Sequence, residues 1–513
     1  MTPLQGLIQD SVSRFPTKIA IRWEEVRVSY QELDREVRRV AGGLKNAGVK
    51  PGDRIAWLLP NCLEAVTVTM ACYQIGAVAV PMNYRYVDRE ALDVIDRVDA
   101  QFLVFHQSKQ ALVESLLKEK PNLATYRVGQ PGNAAAHPQI VSFDSLIADS
   151  PLAEVVEVKL HDACLILFTS GSTGHPKGVV HSHGGAFAGI DSSRQIFDFT
   201  EDDVVLVGKP ISHAGGLQTQ LMPALHVGAK TVLAMKPSAT QAVSMINEYQ
   251  VTQYGLLASD LLDFIEYLEN NPTPIPSLKN SIGSGDSVPA DLHHRFRDLL
   301  GWEVMEGSGM TEIGSYYAVN PRYGQRKWGS LGLPVTGTTL RVVDADGHDC
   351  GVGQTGEILV QSPAATIGYW HDSKATESLF KGGWLHSGDL ARFDEDGYVW
   401  FVGRSKLMIV RRGSNIAPAE VETVIDEHAS VHASVVVGLA DSEDGQVPVA
   451  CVALLGARED SSEESIRAYV AEHLAAYKNP KHYLFLDEIP RTSTGKFDRH
   501  HLKDLVASTY SSN

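Results

Sequence analysis

A loop rich in glycine and hydroxyl side chains, Thr169-Ser-Gly-Ser-Thr-Gly-His-Pro-Lys-Gly178, could bind phosphate. Glycines let backbone N–H groups approach a phosphate closely, hydroxyls add donors, and Lys177 adds positive charge. The apolar run 163–168 directly before it indicates a buried strand. Pro176 stands where the Walker A loop has its last glycine, so the sequence predicts a phosphate-binding loop of another kind.

Three further motifs combine charged side chains with glycines. They are Ser308-Gly-Met-Thr-Glu312, Ser387-Gly-Asp389 followed by Gly403-Arg404, and Arg491-Thr-Ser-Thr-Gly-Lys496. Taken singly, each of these motifs is also typical of a turn or of an exposed loop.

In this order along the chain, the four motifs resemble those of the adenylate-forming superfamily. Its members include acyl-CoA synthetases, firefly luciferase and the adenylation domains of peptide synthetases. The resemblance implies that a carboxylate attacks the α-phosphate of ATP, giving an acyl-adenylate and pyrophosphate, and that a thiol then displaces AMP. ATP, Mg²⁺ and CoA are the implied cofactors. Because the first step joins two anions, catalysis must come mostly from positioning and charge neutralisation.

The same resemblance assigns a role to each motif residue. Thr311 would contact the α-phosphate, Glu312 would help to hold Mg²⁺, and Asp389 would bind the ribose hydroxyls. Lys496 would bridge the carboxylate and the α-phosphate. The implied catalytic residues are Lys496, Thr311, Glu312 and His213. The implied ATP- and AMP-binding residues are Thr169, Ser170, Gly171, Ser172, Thr173, Gly174, Lys177, Ser308, Thr311, Asp389, Arg404 and Lys496.

The segment around His213 indicates the class of acid. His213 resembles a histidine or aromatic residue that lines the acyl site of many acyl-CoA synthetases. Amino-acid-activating relatives carry an aspartate near this point, whereas residues 210–217 contain no acidic side chain, so an amino-acid substrate is not expected. The expected acyl pocket is lined by His213, Gly215, Gly285, Gly307, Ser308 and Met310. Small lining residues favour a bulky acid, although glycines also occur where the backbone requires them.

Ser308 departs from the family pattern, which usually has a tyrosine there that stacks on adenine. Stacking of a base on an aromatic ring is worth about 1–3 kcal/mol. Either the small residue makes room for a bulky acyl group, or the enzyme adenylates poorly and thioesterifies an acyl-adenylate made elsewhere. A carrier protein's phosphopantetheine arm is an alternative acceptor to CoA, and luciferase-like oxidation is a remote further alternative.

The chain has 513 residues, more than one hydrophobic core usually supports. Alternating helical and strand patterns predict an α/β fold with largely parallel strands. Helices are expected at 30–44 and 239–249, and strands at 54–59, 77–81 and 204–207. Asp-Gly and Gly-Gly pairs at 346–347, 382–383 and 396–397 predict hairpin turns.

These patterns predict a large N-terminal domain, 1–403, of layered α/β subdomains, with a small β-rich subdomain at about 320–402. A small α+β domain, 404–513, would follow. The resemblance implies that this domain is mobile about a hinge at Lys406 and that Gly413, Lys478 and Lys481 contact CoA.

The formal net charge of −17 argues against nucleic acid or an anionic membrane as a general partner. The apolar stretch 65–80 reads as a buried helix leading into a strand, and we expect no stable membrane insertion. Five scattered cysteines favour free thiols in a reducing cytoplasm. The expected partners are thus a small carboxylic acid and CoA, with homodimer formation left open.

Overall fold

The computed structural model of the chain describes residues 1–130, 137–147, 151–169, 176–284, 288, 290–412, 414–441, 443–456, 462–492 and 496–510. Its strands are β1 (Ile19–Trp23), β2 (Val26–Ser29), β3 (Arg54–Leu58), β4 (Val78–Pro81), β5 (Phe102–His106), β6 (Ala124–Val128), β7 (Ile140–Ser142), β8 (Ala163–Thr169), β9 (Lys177–Ser182), β10 (Val204–Val207), β11 (Lys230–Leu233), β12 (Gln253–Leu257), β13 (Asn280–Ser284), β14 (Met305–Met310), β15 (Ser315–Val319), β16 (Leu333–Pro334), β17 (Thr339–Val343), β18 (Gly356–Gln361), β19 (Gly368–Tyr369), β20 (Phe380–Lys381), β21 (Trp384–Phe393), β22 (Val399–Arg404), β23 (Ile409–Arg411), β24 (Ser414–Ile416), β25 (Val431–Asp441), β26 (Gly445–Leu454) and β27 (His482–Phe485).

The helices are α1 (Gln9–Arg14), α2 (Tyr30–Asn46), α3 (Leu63–Ile75), α4 (Asp88–Val98), α5 (Gln110–Glu119), α6 (His183–Phe197), α7 (Ala214–Gly216), α8 (Met222–Val227), α9 (Ala239–Tyr249), α10 (Ala258–Asn270), α11 (Ala290–Leu300), α12 (Ser373–Leu379), α13 (Pro418–Asp426), α14 (Ser462–His473) and α15 (Arg499–Tyr510). A π-helical segment, Leu217–Leu221, joins α7 to α8, and short 3₁₀ turns lie at Gln107–Lys109, Phe143–Leu146, Ser405–Leu407 and Ala476–Lys478. Among these described helices, none has both the length and the apolar character that a membrane span requires.

Two large sheets confirm the expected α/β architecture. Within the described residues, one has the strand order β16-β15-β14-β13-β12-β10-β11-β1-β2 and the other β19-β9-β8-β4-β3-β5-β6-β7. Strands β10 to β14 of the first sheet pair with one another in parallel, as do β3 to β8 in the second. The carboxyl ends of parallel strands therefore share one edge, where open α/β sheets bind ligands.

Local sequence signals explain several of the helices. Ser29 caps α2 through a reciprocal capping box with Glu32, and the apolar side chains of α2 face the core. Helix α3 is buried on every side along most of its length and ends at Gly76, whose φ of +72° is easy for glycine. The chain then enters β4, which confirms the predicted buried helix leading into a strand.

The described residues divide into two compact units. The first comprises Met1–Trp328, Gly332–Thr339 and Gln361–Leu385, and the second comprises Gly329–Leu331, Leu340–Val360 and His386–Asn513. In the second unit, the strands β24-β23-β26-β25, with β27 beside β26, carry α13 and α14 on one face and α15 on the other. The Gly382-Gly383 turn joins β20 to β21 as predicted, with both residues at positive φ. The domain boundary at 403/404 and the hinge at Lys406 stay predictions.

Asn61 fixes the segment that follows β10. Its side-chain amide donates to the carbonyl oxygens of Val207, Lys209 and Ala234 at 3.3, 2.9 and 2.7 Å. Its carbonyl accepts from the Ile211 N–H at 2.9 Å. Asn61 is buried, and a backbone polar group that is left unpaired in a buried position costs free energy.

Replacing Asn61 by leucine should therefore destabilise the first unit. The Asn61→Leu variant leaves these buried backbone groups without their partner, and we expect the free energy of unfolding to fall by about 3 kcal/mol. Urea denaturation followed by circular dichroism measures the change, with the exposed Asn122→Leu as control. Equal shifts in both variants would contradict the assigned role.

Candidate active site

A β-hairpin fixes both ends of the predicted phosphate-binding loop. Thr169 is the last residue of β8, Lys177 is the first of β9, and the two face each other in the antiparallel ladder. The predicted strand before the loop is therefore present, and strand pairing holds Lys177 at the loop's end. The intervening phosphate-loop residues Ser170, Gly171, Ser172, Thr173 and Gly174 lie outside the described residues.

Thr311 and Glu312 lie in the tight turn between β14 and β15, and their backbone is held from two sides. The His181 Nε2–H donates to the Thr311 carbonyl oxygen at 2.9 Å. The Thr366 N–H donates to the Glu312 carbonyl oxygen at 2.7 Å. His181 belongs to β9, so the strand that begins at Lys177 also positions this motif.

His181 is fully buried and neutral. Burial lowers its pKa from 6.5 to about 4, although the bond to the Thr311 carbonyl opposes part of that shift. Because Nε2 carries the proton, Nδ1 is the bare nitrogen, and among the described residues it has no hydrogen-bond partner. Sequence reasoning missed His181, since its partner lies 130 positions away along the chain.

Tyr369 connects two of the predicted site residues. Its hydroxyl donates to Glu312 Oε1 at 2.7 Å, and the Lys177 ammonium lies 4.7 Å from the centre of its ring. Burial and the Glu312 carboxylate raise the pKa of Tyr369 well above its usual value, so it stays a hydroxyl donor. None of the four motifs includes Tyr369, and the sequence offered no signal for it beyond an aromatic pair after Gly368.

His213 lies at the carboxyl edge of the first sheet, at the start of α7. Lys209 precedes it on the same segment and is only 5% exposed. Burial lowers the pKa of Lys209 to about 8, while the negative charge of Asp260 acts in the opposite direction. The sequence analysis did not consider Lys209, whose burial depends on the packing of neighbouring strands. Gly215 has room around it, because a Cβ there would meet Lys209 Cδ at 3.7 Å, an ordinary contact.

Packing explains the small size of Gly307, a residue of the expected acyl pocket. A Cβ on Gly307 would come within 2.9 Å of Val319 Cγ2, because β15 lies directly against β14. The neighbouring Ser308 donates its hydroxyl to the hydroxyl of buried Tyr317 at 2.7 Å, and Met310 ends β14 partly exposed. Small size at 307 is thus required by the fold itself. Gly285 lies outside the described residues, and the pocket lining stays a prediction.

In the second unit, the structure brings Asp389 and Arg404 together. They are direct partners in the β21–β22 ladder, and Arg404 Nε lies 3.1 Å from Asp389 Oδ1. Lys406 follows in an exposed turn. Lys496 is exposed too, and its carbonyl accepts from the Thr492 N–H at 2.7 Å, which closes the loop that it ends.

The predicted CoA contacts in the second unit are engaged with carboxylates. Lys478 pairs with Glu420, and Lys481 Nζ lies 2.6 Å from Asp441 Oδ2. The Lys481 ammonium holds the pKa of Asp441 well below its usual range. Gly413 lies outside the described residues.

Known proteins are similar to this chain in both sequence and fold. A family model described as AMP-binding enzyme matches residues 8–370, and one for the AMP-binding enzyme C-terminal domain matches residues 420–496. The indoleacetate–CoA ligase of Aromatoleum aromaticum is 32% identical over 497 residues, 96% of either chain. A feruloyl-CoA synthase of an Amycolatopsis species is 34% identical over 485 residues, 94% of either chain. The crystal structure of the anthranilate CoA ligase AuaEII with anthranoyl-AMP has a TM-score of 0.92 and 26% identity, and covers 99% of this chain and 98% of its own.

The neutral state of His181 predicts sensitivity to acid. The unfolded chain takes up a proton on this residue at pH 6.5, but the folded chain does so only at about pH 4. Stability from neutral His181 is complete above pH 6.5 and is lost as the pH falls. Between pH 7 and pH 5 the wild type should lose about 2 kcal/mol more than His181→Gln, which keeps a side-chain donor. Urea midpoints at both pH values measure this, and the exposed His161→Gln should behave as wild type; a His181→Gln variant that is equally acid-sensitive would refute it.

Proposed function

Since the chain belongs to the AMP-binding enzyme family, we propose that it is an AMP-forming acyl-CoA ligase. It activates a bulky carboxylic acid that lacks an amino group as its acyl-adenylate and transfers the acyl group to CoA. Family membership confirms the resemblance drawn from the four motifs. The observation that carries the proposal is the linked set Lys177, Tyr369, Glu312 and Thr311, held by β9.

Mg²⁺ fits the chemistry of this set. Tyr369 occupies Oε1 of Glu312, and Oε2 has no hydrogen bond to any described residue, which suits a hard cation that needs a carboxylate oxygen. Glu312 would hold the ion, which when bound neutralises phosphate charge. Lys177 would bind the β- and γ-phosphates, and Thr311, whose backbone His181 fixes, would contact the α-phosphate.

Residues of the second unit take the other roles that the family motifs imply. Asp389 would accept hydrogen bonds from the ribose hydroxyls, and Arg404, its ladder partner, would orient that carboxylate. Lys496 would neutralise the charge that builds up between carboxylate and α-phosphate as the adenylate forms. Lys496 is exposed, so such a contact does not require its permanent burial.

Aromatic acids are the proposed substrate class. Relatives named for indoleacetate and ferulate support this class, and His213 would offer a flat ring to an aryl group. The expected pocket is also lined by Gly215 and Met310. An acid with an α-amino group is disfavoured because residues 210–217 offer no carboxylate to its ammonium.

CoA is the proposed acceptor, and a carrier protein is the alternative. The ion pairs of Lys478 and Lys481 each have one exposed partner, and exposed pairs are typically worth about 0–1 kcal/mol, so they oppose contacts with CoA phosphates only weakly. The hinge at Lys406, the cytoplasmic location and a homodimer stay predictions.

Separate assays of the two half-reactions test this function. In Lys496→Ala, acid-dependent ATP–pyrophosphate exchange should fall at least about a hundredfold, because a group that stabilises the transition-state charge is lost. CoA-thioester formation from a synthetic aryl-adenylate should change less than about threefold. The exposed Lys503→Ala serves as control. If no aryl acid tested increases ATP–pyrophosphate exchange by the wild type, the proposal is refuted.

The serine at position 308 favours one alternative, an enzyme that performs only thioester formation. With Ser308 in place of an aromatic residue, adenine loses a stacking partner worth about 1–3 kcal/mol. If that loss disables adenylation, the wild type should form thioester without exchange, and Ser308→Tyr should gain exchange activity. A complete ligase should instead show exchange in the wild type, and Ser308→Ala should retain it.

A further inference from the structure

Tyr369 stands between a cation and a carboxylate. The Lys177 ammonium lies 4.7 Å from the centroid of its ring, and its hydroxyl donates to Glu312 Oε1 at 2.7 Å. Neither Lys177 nor Glu312 makes an ion pair with any described residue. Both ends of the tyrosine are therefore in use, and each charged group meets a neutral partner.

A lysine and a glutamate on the same aromatic side chain would otherwise attract each other strongly, because a partly buried site screens charge less than water does. A direct pair would occupy the ammonium that the phosphates need and the carboxylate that the metal needs. The face of an aromatic ring attracts an ammonium through its quadrupole without neutralising it. One hydroxyl bond to the carboxylate leaves its second oxygen available.

Strand pairing sets this arrangement. Tyr369 lies opposite Val179 in the β9–β19 ladder, so Lys177, two residues earlier, is its diagonal neighbour, within reach of long side chains. The backbone on either side is tied down as well. The Tyr369 N–H donates to Thr376 Oγ1 at 2.9 Å, and the Trp370 N–H donates to the Gly178 carbonyl at 2.7 Å.

We propose that Tyr369 is a positioning residue that keeps Lys177 and Glu312 from pairing and turns one Glu312 oxygen toward the Mg²⁺ of the bound nucleotide. This inference rests on the proposed function, because it presumes that the site binds MgATP. In this role Tyr369 would act through Lys177 and Glu312 and not by contact with the metal or the reacting atoms.

Two substitutions separate the two contacts. Tyr369→Phe keeps the ring beneath Lys177 and removes the bond to Glu312, whereas Tyr369→Leu removes both. The readout is the dissociation constant of a non-hydrolysable ATP analogue, measured by calorimetry with and without Mg²⁺. The exposed Tyr323→Phe, which also loses a tyrosine–carboxylate bond, is the matched control.

In Tyr369→Phe, we expect metal-free affinity to stay within about twofold of wild type, while the Mg²⁺ concentration for half-maximal enhancement rises about tenfold. In Tyr369→Leu, metal-free affinity should also fall about tenfold, because Lys177 can then pair with Glu312. Adding Tyr369→Phe to Glu312→Gln should cause no further change in the Mg²⁺ dependence. Thermal melting of each variant checks that it folds.

The outcomes separate this inference from the function on which it rests. A wild type that binds no ATP analogue would refute the function. A wild type that binds normally, with Tyr369→Phe matching it in Mg²⁺ dependence, would overturn the role of Tyr369 alone. A Mg²⁺ shift that persists in the Glu312→Gln background would overturn it too, because the hydroxyl would then act through some other group.

Discussion

The candidate site depends on the pairing of one short strand, β9. Its first residue is Lys177, its fifth is His181, which holds the Thr311 carbonyl, and between them Val179 and Val180 pair with Tyr369 and Gly368. Hydrogen bonding between paired strands fixes the relative positions of their side chains. Three segments that are distant in sequence, 177–181, 311–312 and 368–369, therefore meet along β9. A slip of one residue in the β8–β9 register would turn Lys177 and His181 to the opposite face.

Two polar side chains of the candidate site are buried at a cost in free energy. The Nδ1 atom of His181 has no partner among the described residues, and Lys209 is buried enough to lower its pKa to about 8. An unsatisfied buried polar group costs about 1–3 kcal/mol, which a leucine at position 181 would avoid. The polar ring at this position nevertheless holds the Thr311–Glu312 turn through its bond to the Thr311 carbonyl oxygen.

The elements with strong local patterns were predictable. Helices α2 and α9 and strands β3, β4 and β10 lie where the helical and strand patterns of the sequence placed them. Asp389 and Arg404 were recognised as a pair by motif, and the ladder makes them direct neighbours. Tyr369 and His181 could not be found this way, because their contacts span 57 and 130 positions. Gly307 could not be interpreted either, since only the packing of β15 shows that its size serves the fold.

In an acidic chain, a cation that must bind phosphate needs a neighbour that keeps it from pairing with a carboxylate, as Tyr369 does for Lys177. With 62 acidic against 45 basic residues, the expected fate of an exposed cation is to meet a carboxylate. Lys478 and Lys481 in the second unit do so, and such surface pairs exchange for a phosphate at little cost. Lys177 and Glu312 are both partly buried, and a pair formed between them would be harder to break than a fully exposed one, since screening is weaker. An aromatic face next to Lys177 is therefore a physical means of keeping positive charge available for a polyanion in a protein of net charge −17.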